Sequence, residues 1–193
     1  MPLQPNPAAF DFLAQRRSRP AKLMTGPVPT RPELLAILTA ALRVPDHGKL
    51  EPWRLVVVER EAMVRLAGLA EARAVALGHD AERTAKGRGQ FDLGHLAVVV
   101  ISQPKATDRI PLTEQILSAG ALCFAILAAA EAAGWAANWL SGWPSHDAGF
   151  ASEAFGCTGG ETVAGIVHVG TCAADLPDRP RPDPARLITW APA

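Results

Sequence analysis

Apolar residues are most concentrated between Thr113 and Ala133, a stretch that predicts the helix around which the chain is organised. Glu114 suits the first turn, where a carboxylate meets the positive end of the helix dipole, and Gly134 supplies a C-terminal stop. Almost no polar face interrupts the stretch, so we expect burial on all sides, at the heart of a domain or of a subunit interface. Glu131 breaks the apolar run short of the ~20 residues that a bilayer requires, which argues against a transmembrane helix.

Apolar residues at helical spacing predict further helices on both sides of this one. They run from Pro7 to about Arg16, from a capping box at Thr30 and Glu33 to about Arg43, from Glu61 to Leu77, and from Ser145 to Phe155. Residues 80–90 are rich in charge and glycine, and we expect them to form an exposed, mobile and only partly helical segment.

Short runs rich in β-branched residues predict four strands. They cover Leu55–Val58, Leu96–Ile101, Trp135–Leu140 and Thr162–Val169. The tail from Asp175 onward is rich in proline and arginine but ends in an apolar run, Leu187–Trp190. We expect this run to be extended and to add to a sheet edge of a neighbouring subunit.

Length, charge balance and cysteine content limit the classes of protein to which the chain can belong. The 193 residues suit a single domain, and the equal numbers of Lys+Arg and Asp+Glu, 19 each, provide no basic field for nucleic acid. Cys123, Cys157 and Cys172 match neither a zinc spacing nor a disulfide framework, so we expect reduced thiols in a cytoplasmic protein. The first residues do not have the pattern of a signal peptide.

A basic cluster follows the first helix. Arg16, Arg17, Ser18 and Arg19 lie next to each other, and Lys22 follows shortly after. Guanidinium groups match phosphate oxygens bidentately and a serine hydroxyl adds a donor, so the cluster predicts a phosphate site. The alternative is a solvated basic helix end that complements the helix dipole.

Other residue patterns offer little catalytic chemistry of their own. Asp46 beside His47 is compatible with a general base or a metal ligand, but no second His or Cys stands at ligand spacing. Ser141 is not part of a nucleophile elbow, and no dinucleotide-binding glycine motif is present. His168, inside a predicted strand, is more typical of a hydrogen-bonded core histidine. A redox reaction would therefore depend on an embedded cofactor.

Taken in order, several motifs resemble those of the flavin-dependent nitroreductases. These are RRS at Arg16, PDHGKLEPW at Pro45, the alanine-rich helix, GWAANWLSG at Gly134, AFG at Ala154 and TVAGIVHVGT at Thr162. The closest branch is the short bacterial one of the YdjA type, and the likeness covers nearly the whole chain. It implies one α+β nitroreductase domain over 1–193, with a central, mainly antiparallel sheet flanked by helices. It also implies an obligate homodimer with two FMN molecules at the interface and the arm 175–193 extended onto the partner.

The resemblance also implies the cofactor contacts. The phosphate and ribityl chain would be held by Arg16, Arg17 and Ser18, with Gly170, Thr171 and Arg179 or Arg181 as further candidates. The same flavin would be reached from the other subunit by Arg43 and His47. The isoalloxazine would lie along Trp139, Leu140 and Ser141, with backbone N–H groups near N5 and O4.

Two departures from the wider family concern this site. Asp46, Lys49 and Glu51 replace the Ser, Asn and Gln of the family's loop, as in the short branch. The family's basic residue near flavin N1 and O2 is Pro20 here, so Arg19 or Lys22 would have to supply that charge.

The sequence thus predicts an FMN-dependent oxidoreductase that takes hydride from NADH or NADPH and passes it to a small oxidant, a nitroaromatic or a quinone. The chemistry would occur at flavin N5, without a catalytic side chain, a metal, a nucleic acid or a membrane. Two alternatives remain: a flavin-binding carrier or sensor without turnover, and a flavin enzyme with another acceptor, as in dehalogenation or flavin breakdown.

Overall fold

A four-stranded antiparallel sheet forms the centre of the fold, which the computed structural model describes for residues 4–191. Its strands are β1 (Trp53–Glu59), β2 (Leu96–Ser102), β3 (Ala136–Leu140) and β4 (Thr162–Gly170), in the order β1-β2-β4-β3. Val99 of β2 lies opposite Val56 on one side and Ile166 on the other. All four predicted strands are confirmed. The first is longer than predicted because its polar ends still pair with β2.

Eight α-helices surround the sheet within residues 4–191. They are α1 (Pro7–Gln15), α2 (Arg31–Ala41), α3 (Arg60–Ala76), α4 (Ala81–Asp92), α5 (Leu112–Ala132), α6 (Trp143–His146), α7 (Ala148–Phe155) and α8 (Pro184–Leu187). The capping box that starts α2 is confirmed: Glu33 accepts the backbone N–H of Thr30 at 2.7 Å. The predicted helix over 145–155 is two helices. Asp147 has extended backbone angles and caps α7 by accepting the N–H of Phe150 at 2.6 Å.

Residues 81–90 all belong to the helix α4, so the prediction of an only partly helical segment was wrong, whereas its mobility stays a prediction. The Asp80 carboxylate caps α4 by accepting the N–H of Arg83 at 2.7 Å. Gly87 packs against the indole of Trp143 so closely that a Cβ there would lie 2.2 Å from Nε1. Phe91 is buried beside Phe150, with ring centroids 5.4 Å apart. Tertiary packing thus orders a helix whose composition alone does not favour one.

The sheet separates two hydrophobic cores. Val98 and Val100 of β2 face α2 and α5, whereas Val99 and Ile101 face α3, α4 and α7. Both faces of β2 are therefore covered, and the entire strand is buried.

An ion pair closes one end of the sheet. Arg54 of β1 donates from Nε and Nη2 to the Glu161 carboxylate, at 2.9 Å each. The carboxylate also accepts from Gln103 Nε2 at 2.6 Å and from the Thr158 N–H at 3.0 Å. The bonds from Arg54, more than those from its other partners, lower the pKa of Glu161 to about 2.

Only the sheet-facing side of α5 is buried in the protomer, so the predicted burial on all sides would require a subunit interface and stays a prediction. Leu122 and Ile126 are inaccessible to solvent, but Ile116, Leu117 and Phe124 on the other side are 48%, 66% and 44% exposed. One sheet can cover only one side of a helix, so a continuous apolar face, α5's outer face, stays open. By length and hydropathy α5 could cross a membrane, with a mean hydropathy of 1.7, yet its inner side forms part of the protein core.

The two ends of the described chain also leave apolar side chains open. No residue of α1 is buried, and Phe10 is 74% exposed. In the tail, Leu187 ends the helical turn α8 and Ile188 is extended, so the predicted extended run begins one residue later than expected. Trp190 is 87% exposed. Docking of this run on a partner subunit stays a prediction.

Candidate functional site

The basic cluster lines a cleft of about 470 Å³ on α5's outer face. The segment after α1 is fixed to the sheet, because the Arg19 N–H donates to the carbonyl of Ala137 in β3 at 2.9 Å. The cleft is lined by Arg16, Arg17, Ser18 and Pro20 from this segment, Phe124 and Leu127 from α5, Asn138 and Trp139 from β3, and Arg179 from the tail. The structure thus brings together five of the predicted cofactor residues; we refer to this site as the arginine cleft.

Arg16 is held in one orientation by three contacts. Its Nε donates to Glu131 at 2.6 Å, and its Nη2 donates to the Ser18 hydroxyl at 3.0 Å. Its guanidinium carbon lies 5.6 Å from the ring centroid of Phe124, within the range of a cation–π contact. The side chains of Arg16 and Glu131 are only 18% and 9% exposed.

Arg17 has an unused donor in the same cleft. Its Nε is buried and has no hydrogen-bond partner among the described residues. A buried donor without an acceptor costs about 1–3 kcal/mol, so this group favours an anionic ligand. With three guanidinium groups and a serine hydroxyl, the lining fits a phosphate monoester such as that of FMN.

A second cleft, of about 350 Å³, lies at the other end of α5's outer face. Here His47 Nδ1 lies 2.7 Å from the Glu114 carboxylate. The adjacent Asp46 does not serve His47, because its carboxylate accepts the N–H groups of Leu50 and Glu51 at 3.2 and 2.8 Å. The acidic partner of His47 is therefore Glu114 and not the adjacent Asp46. We refer to this site as the histidine cleft.

A third cleft, of about 550 Å³ and largely apolar, joins the arginine cleft to α4. Pro20 and Asn138 line both sites, and Lys22 and Leu140 line the third cleft beside Gly89 of α4. Arg19 instead lines a neighbouring cleft of about 410 Å³ with Thr171 and Cys172, and Arg16 and Arg17 line both this cleft and the arginine cleft. Of the two cations considered for the flavin ring, Lys22 is therefore the one that shares a cleft with Leu140.

Other predicted cofactor residues lie apart from these side chains. Arg43 is exposed one residue beyond the cap of α2, and Ser141 is exposed just after β3. Arg181 donates to the backbone carbonyl of Ala14 at the end of α1. Gly170 lies close to the backbone at Thr25, since a Cβ at Gly170 would lie 3.0 Å from the Thr25 carbonyl oxygen.

Buried titratable groups offer no alternative reaction centre. Burial raises the pKa of the Cys123 thiol to about 12 and lowers the pKa of His168 to about 4, so both are neutral at pH 7. His168 is a core residue, as predicted. However, neither ring nitrogen has a hydrogen-bond partner within residues 4–191, so the expectation that it would be hydrogen-bonded was wrong. No group of three or more potential ligands for a metal ion is found among the described residues.

Sequence reasoning missed two acidic residues of this site, Glu131 and Glu114, which contact the arginine and histidine side chains. Glu131 was read only as a break in an apolar run. A lone carboxylate in such a run must find a cation or remain solvated, and this rule could have indicated a basic partner.

Known proteins resemble this chain in sequence and in fold. Residues 13–171 match the sequence model of the Nitroreductase family. The chain is 32% identical over 183 residues to the Escherichia coli protein named "Putative NAD(P)H nitroreductase YdjA", covering 94% of this chain and 98% of that protein. It is 36% identical over 167 residues to a "Putative NAD(P)H nitroreductase" of Haemophilus influenzae, covering 84% and 88%. A crystal structure of a "putative nitroreductase in complex with FMN" from Desulfovibrio desulfuricans superposes on this chain with a TM-score of 0.74 at 19% identity. The superposition covers 98% of this chain and 99% of that chain, so the two proteins share a fold. The chain therefore belongs to the nitroreductase family, as its motifs implied.

Proposed function

We propose that this protein is an FMN-dependent oxidoreductase that uses NADH or NADPH to reduce a small oxidant such as a nitroaromatic or a quinone. The observation that carries the proposal is the arginine cleft, where a buried and partnerless Arg17 Nε lies among further arginines in a member of this family. When bound, FMN supplies the transfer of hydride between donor and oxidant. The chain's own residues bind, orient and shield it.

The phosphate end of the cofactor belongs in the arginine cleft. Arg17 and Arg179 offer guanidinium donors, and Ser18 can turn its hydroxyl toward a phosphate oxygen. Such charge-assisted bonds are roughly twice as strong as neutral ones, so this end supplies a large share of the binding energy.

The ring belongs at the end of β3, where the arginine cleft meets the apolar third cleft. Trp139 lines the first and Leu140 the second, and Lys22 lies with Leu140. We infer that Lys22 supplies a positive charge beside the ring. The surface of the third cleft is mostly apolar, although Glu82, Lys86 and Gln90 of α4 also line it, and the cleft leaves room for a flat substrate.

The functional unit in this proposal is a homodimer formed through α5's outer face. Leu117 lines the histidine cleft and Phe124 the arginine cleft, seven residues or ~10 Å apart along the helix. A two-fold axis between them would bring the arginine cleft of one protomer to the histidine cleft of its partner. His47, with the nearby Arg43, could then reach a cofactor bound by the other protomer. The exposed α1 and tail would gain partners in the same assembly.

We place the enzyme in the cytoplasm, since it depends on no disulfide: Cys123, Cys157 and Cys172 are free.

The absorption spectrum of freshly purified protein tests the cofactor directly. Flavin bands should be present, and anaerobic addition of NADH or NADPH should bleach them until a nitroaromatic or quinone is added. Flavin that neither nicotinamide bleaches would identify a carrier or sensor. A colourless protein that does not bind added FMN would refute the cofactor.

Substitution of the arginine cleft tests the site. Arg16→Ala combined with Arg17→Ala should give colourless protein with a lower melting temperature, because the bound cofactor stabilises the folded state. Arg65→Ala, an exposed position on α3 beyond the opposite face of the sheet, is the matched control and should remain yellow. A fully yellow double variant would contradict the assignment.

A further inference from the structure

The acidic residue near the end of α5 has a role that the family likeness did not assign. Glu131 is the only charged residue between Glu114 and the end of α5. A carboxylate in the last turn of a helix meets the negative end of the dipole, so this position is unfavourable unless a cation compensates it. Arg16 provides that cation, from a segment 115 residues away in sequence.

Two of the N–H groups of Arg16 bind neighbouring side chains. Nε donates to Glu131 at 2.6 Å and Nη2 to Ser18 at 3.0 Å, so the carboxylate holds the guanidinium at its inner edge. Phe124 lies 5.6 Å from the guanidinium carbon and limits its movement on one side. Arg16 Nη1 has no hydrogen-bond partner in the described part of the chain.

Glu131 contacts the guanidinium of Arg16 but does not itself line the arginine cleft. It lines the neighbouring cleft of about 410 Å³, and Arg16 and Arg17 line both clefts. The carboxylate thus reaches Arg16 from the side of the neighbouring cleft, where it can fix the guanidinium without occupying the arginine cleft.

We propose that Glu131 is a positioning residue for the phosphate of FMN: it holds Arg16 by its Nε so that the remaining N–H groups face the arginine cleft. The inference rests on the proposed FMN site. A preoriented guanidinium loses less side-chain entropy when the phosphate binds, so the hydrogen bond to Glu131 increases affinity for the phosphate. A carboxylate that merely neutralised Arg16 would weaken phosphate binding instead.

Three substitutions separate these two roles. Glu131→Gln keeps an oxygen acceptor at the same reach and removes the charge. Glu131→Asp keeps the charge and withdraws it by one methylene, which breaks the 2.6 Å bond. Glu131→Ala removes both. Positioning predicts that Gln retains FMN affinity within about threefold, whereas Asp and Ala each lose about tenfold or more.

The experiment is titration of the apoprotein with FMN and with riboflavin, which lacks the phosphate, followed by flavin fluorescence. Losses in the Asp and Ala variants should affect FMN and leave riboflavin affinity within about threefold. Added to Arg16→Ala, the Glu131→Ala change should have no further effect on FMN. Glu153→Ala on α7, across the sheet, is the matched control and should behave as wild type.

Several results would overturn the inference. Tighter FMN binding by the Ala variant would show that Arg16 leaves Glu131 to reach the phosphate. Equal losses for FMN and riboflavin would show a general structural role, and unchanged affinity would show none. If Glu131→Ala fails to fold, the contrast between Gln and Asp carries the same test. Wild-type apoprotein that binds neither flavin would instead refute the proposed function itself.

Discussion

Leu117→Ala is the substitution that should separate the protomers without unfolding them. Leu117 is 66% exposed on α5's outer face, beside the histidine cleft. Burying a whole leucine side chain contributes ~1.5–3 kcal/mol, so covering the exposed two-thirds contributes about 1–2 kcal/mol. An isologous interface contains the residue twice, and the dimer should lose ~2–4 kcal/mol, or roughly 30- to 700-fold in its dissociation constant.

The folded protomer should tolerate this change, since an exposed leucine in a helix gives up little and alanine has the higher helix propensity. Val75→Ala is the control, because Val75 is 70% exposed on α3, beyond the opposite face of the sheet. Sedimentation velocity over a range of concentrations measures the dissociation constant, and circular dichroism confirms the fold. A Leu117→Ala protein as dimeric as the Val75→Ala control would refute α5's outer face as the interface.

Three further predictions concern stability and redox properties. Gly87→Ala in α4 should lower the free energy of unfolding by about 1–3 kcal/mol in thermal melts, because the new Cβ would lie 2.2 Å from the indole of Trp143. Gly89→Ala is the control and should be neutral or stabilising, since no atom lies within 4 Å of the position of its Cβ. Glu161→Gln should be less stable than wild type at pH 7 by about 1–3 kcal/mol. Urea melts should show this difference disappearing as the pH falls from about 5 to 2, because the pKa of Glu161 is about 2 in the folded state and higher in the unfolded state. Lys22→Ala should lower the midpoint potential of bound FMN by roughly 30 mV in equilibration with a reference dye, because a cation beside the ring favours its reduced state, whereas Arg19→Ala should leave it unchanged.

Local sequence patterns predicted the sheet well because burial of β2 on both faces requires an unbroken apolar run. They failed at α4, whose ten central residues include Gly87 and Gly89 and few apolar side chains. The reason α4 is a helix lies in Trp143, which fills the space that Gly87 leaves. Such a contact between distant segments leaves no periodic signal in either of them.

The candidate site shows the same division. Residue chemistry alone predicted a phosphate site at the basic cluster of Arg16 and Arg17, and the structure places both residues in one cleft. The carboxylate that holds Arg16 was not, because it lies 115 residues away and only the packing of α1's end against α5 brings the two together. The sequence also did not show that His47 and the arginines lie in different clefts of one protomer. The family resemblance assigned them to one flavin but gave no distance between them.

That separation has a thermodynamic consequence. If one flavin needs the arginine cleft of one protomer and the histidine cleft of another, a lone protomer offers half of the contacts and binds it weakly. Linkage then requires that FMN tighten the dimer by the same factor by which dimerisation tightens FMN. The open apolar side of α5 fits this scheme, because burial of Leu117 and Phe124 would supply the association energy while the clefts beside them supply the sites. Loss of flavin from Leu117→Ala on dilution, at concentrations where wild type stays yellow, would be the signature of this coupling, whereas flavin retained by the dissociated protomer would show that the arginine cleft suffices alone.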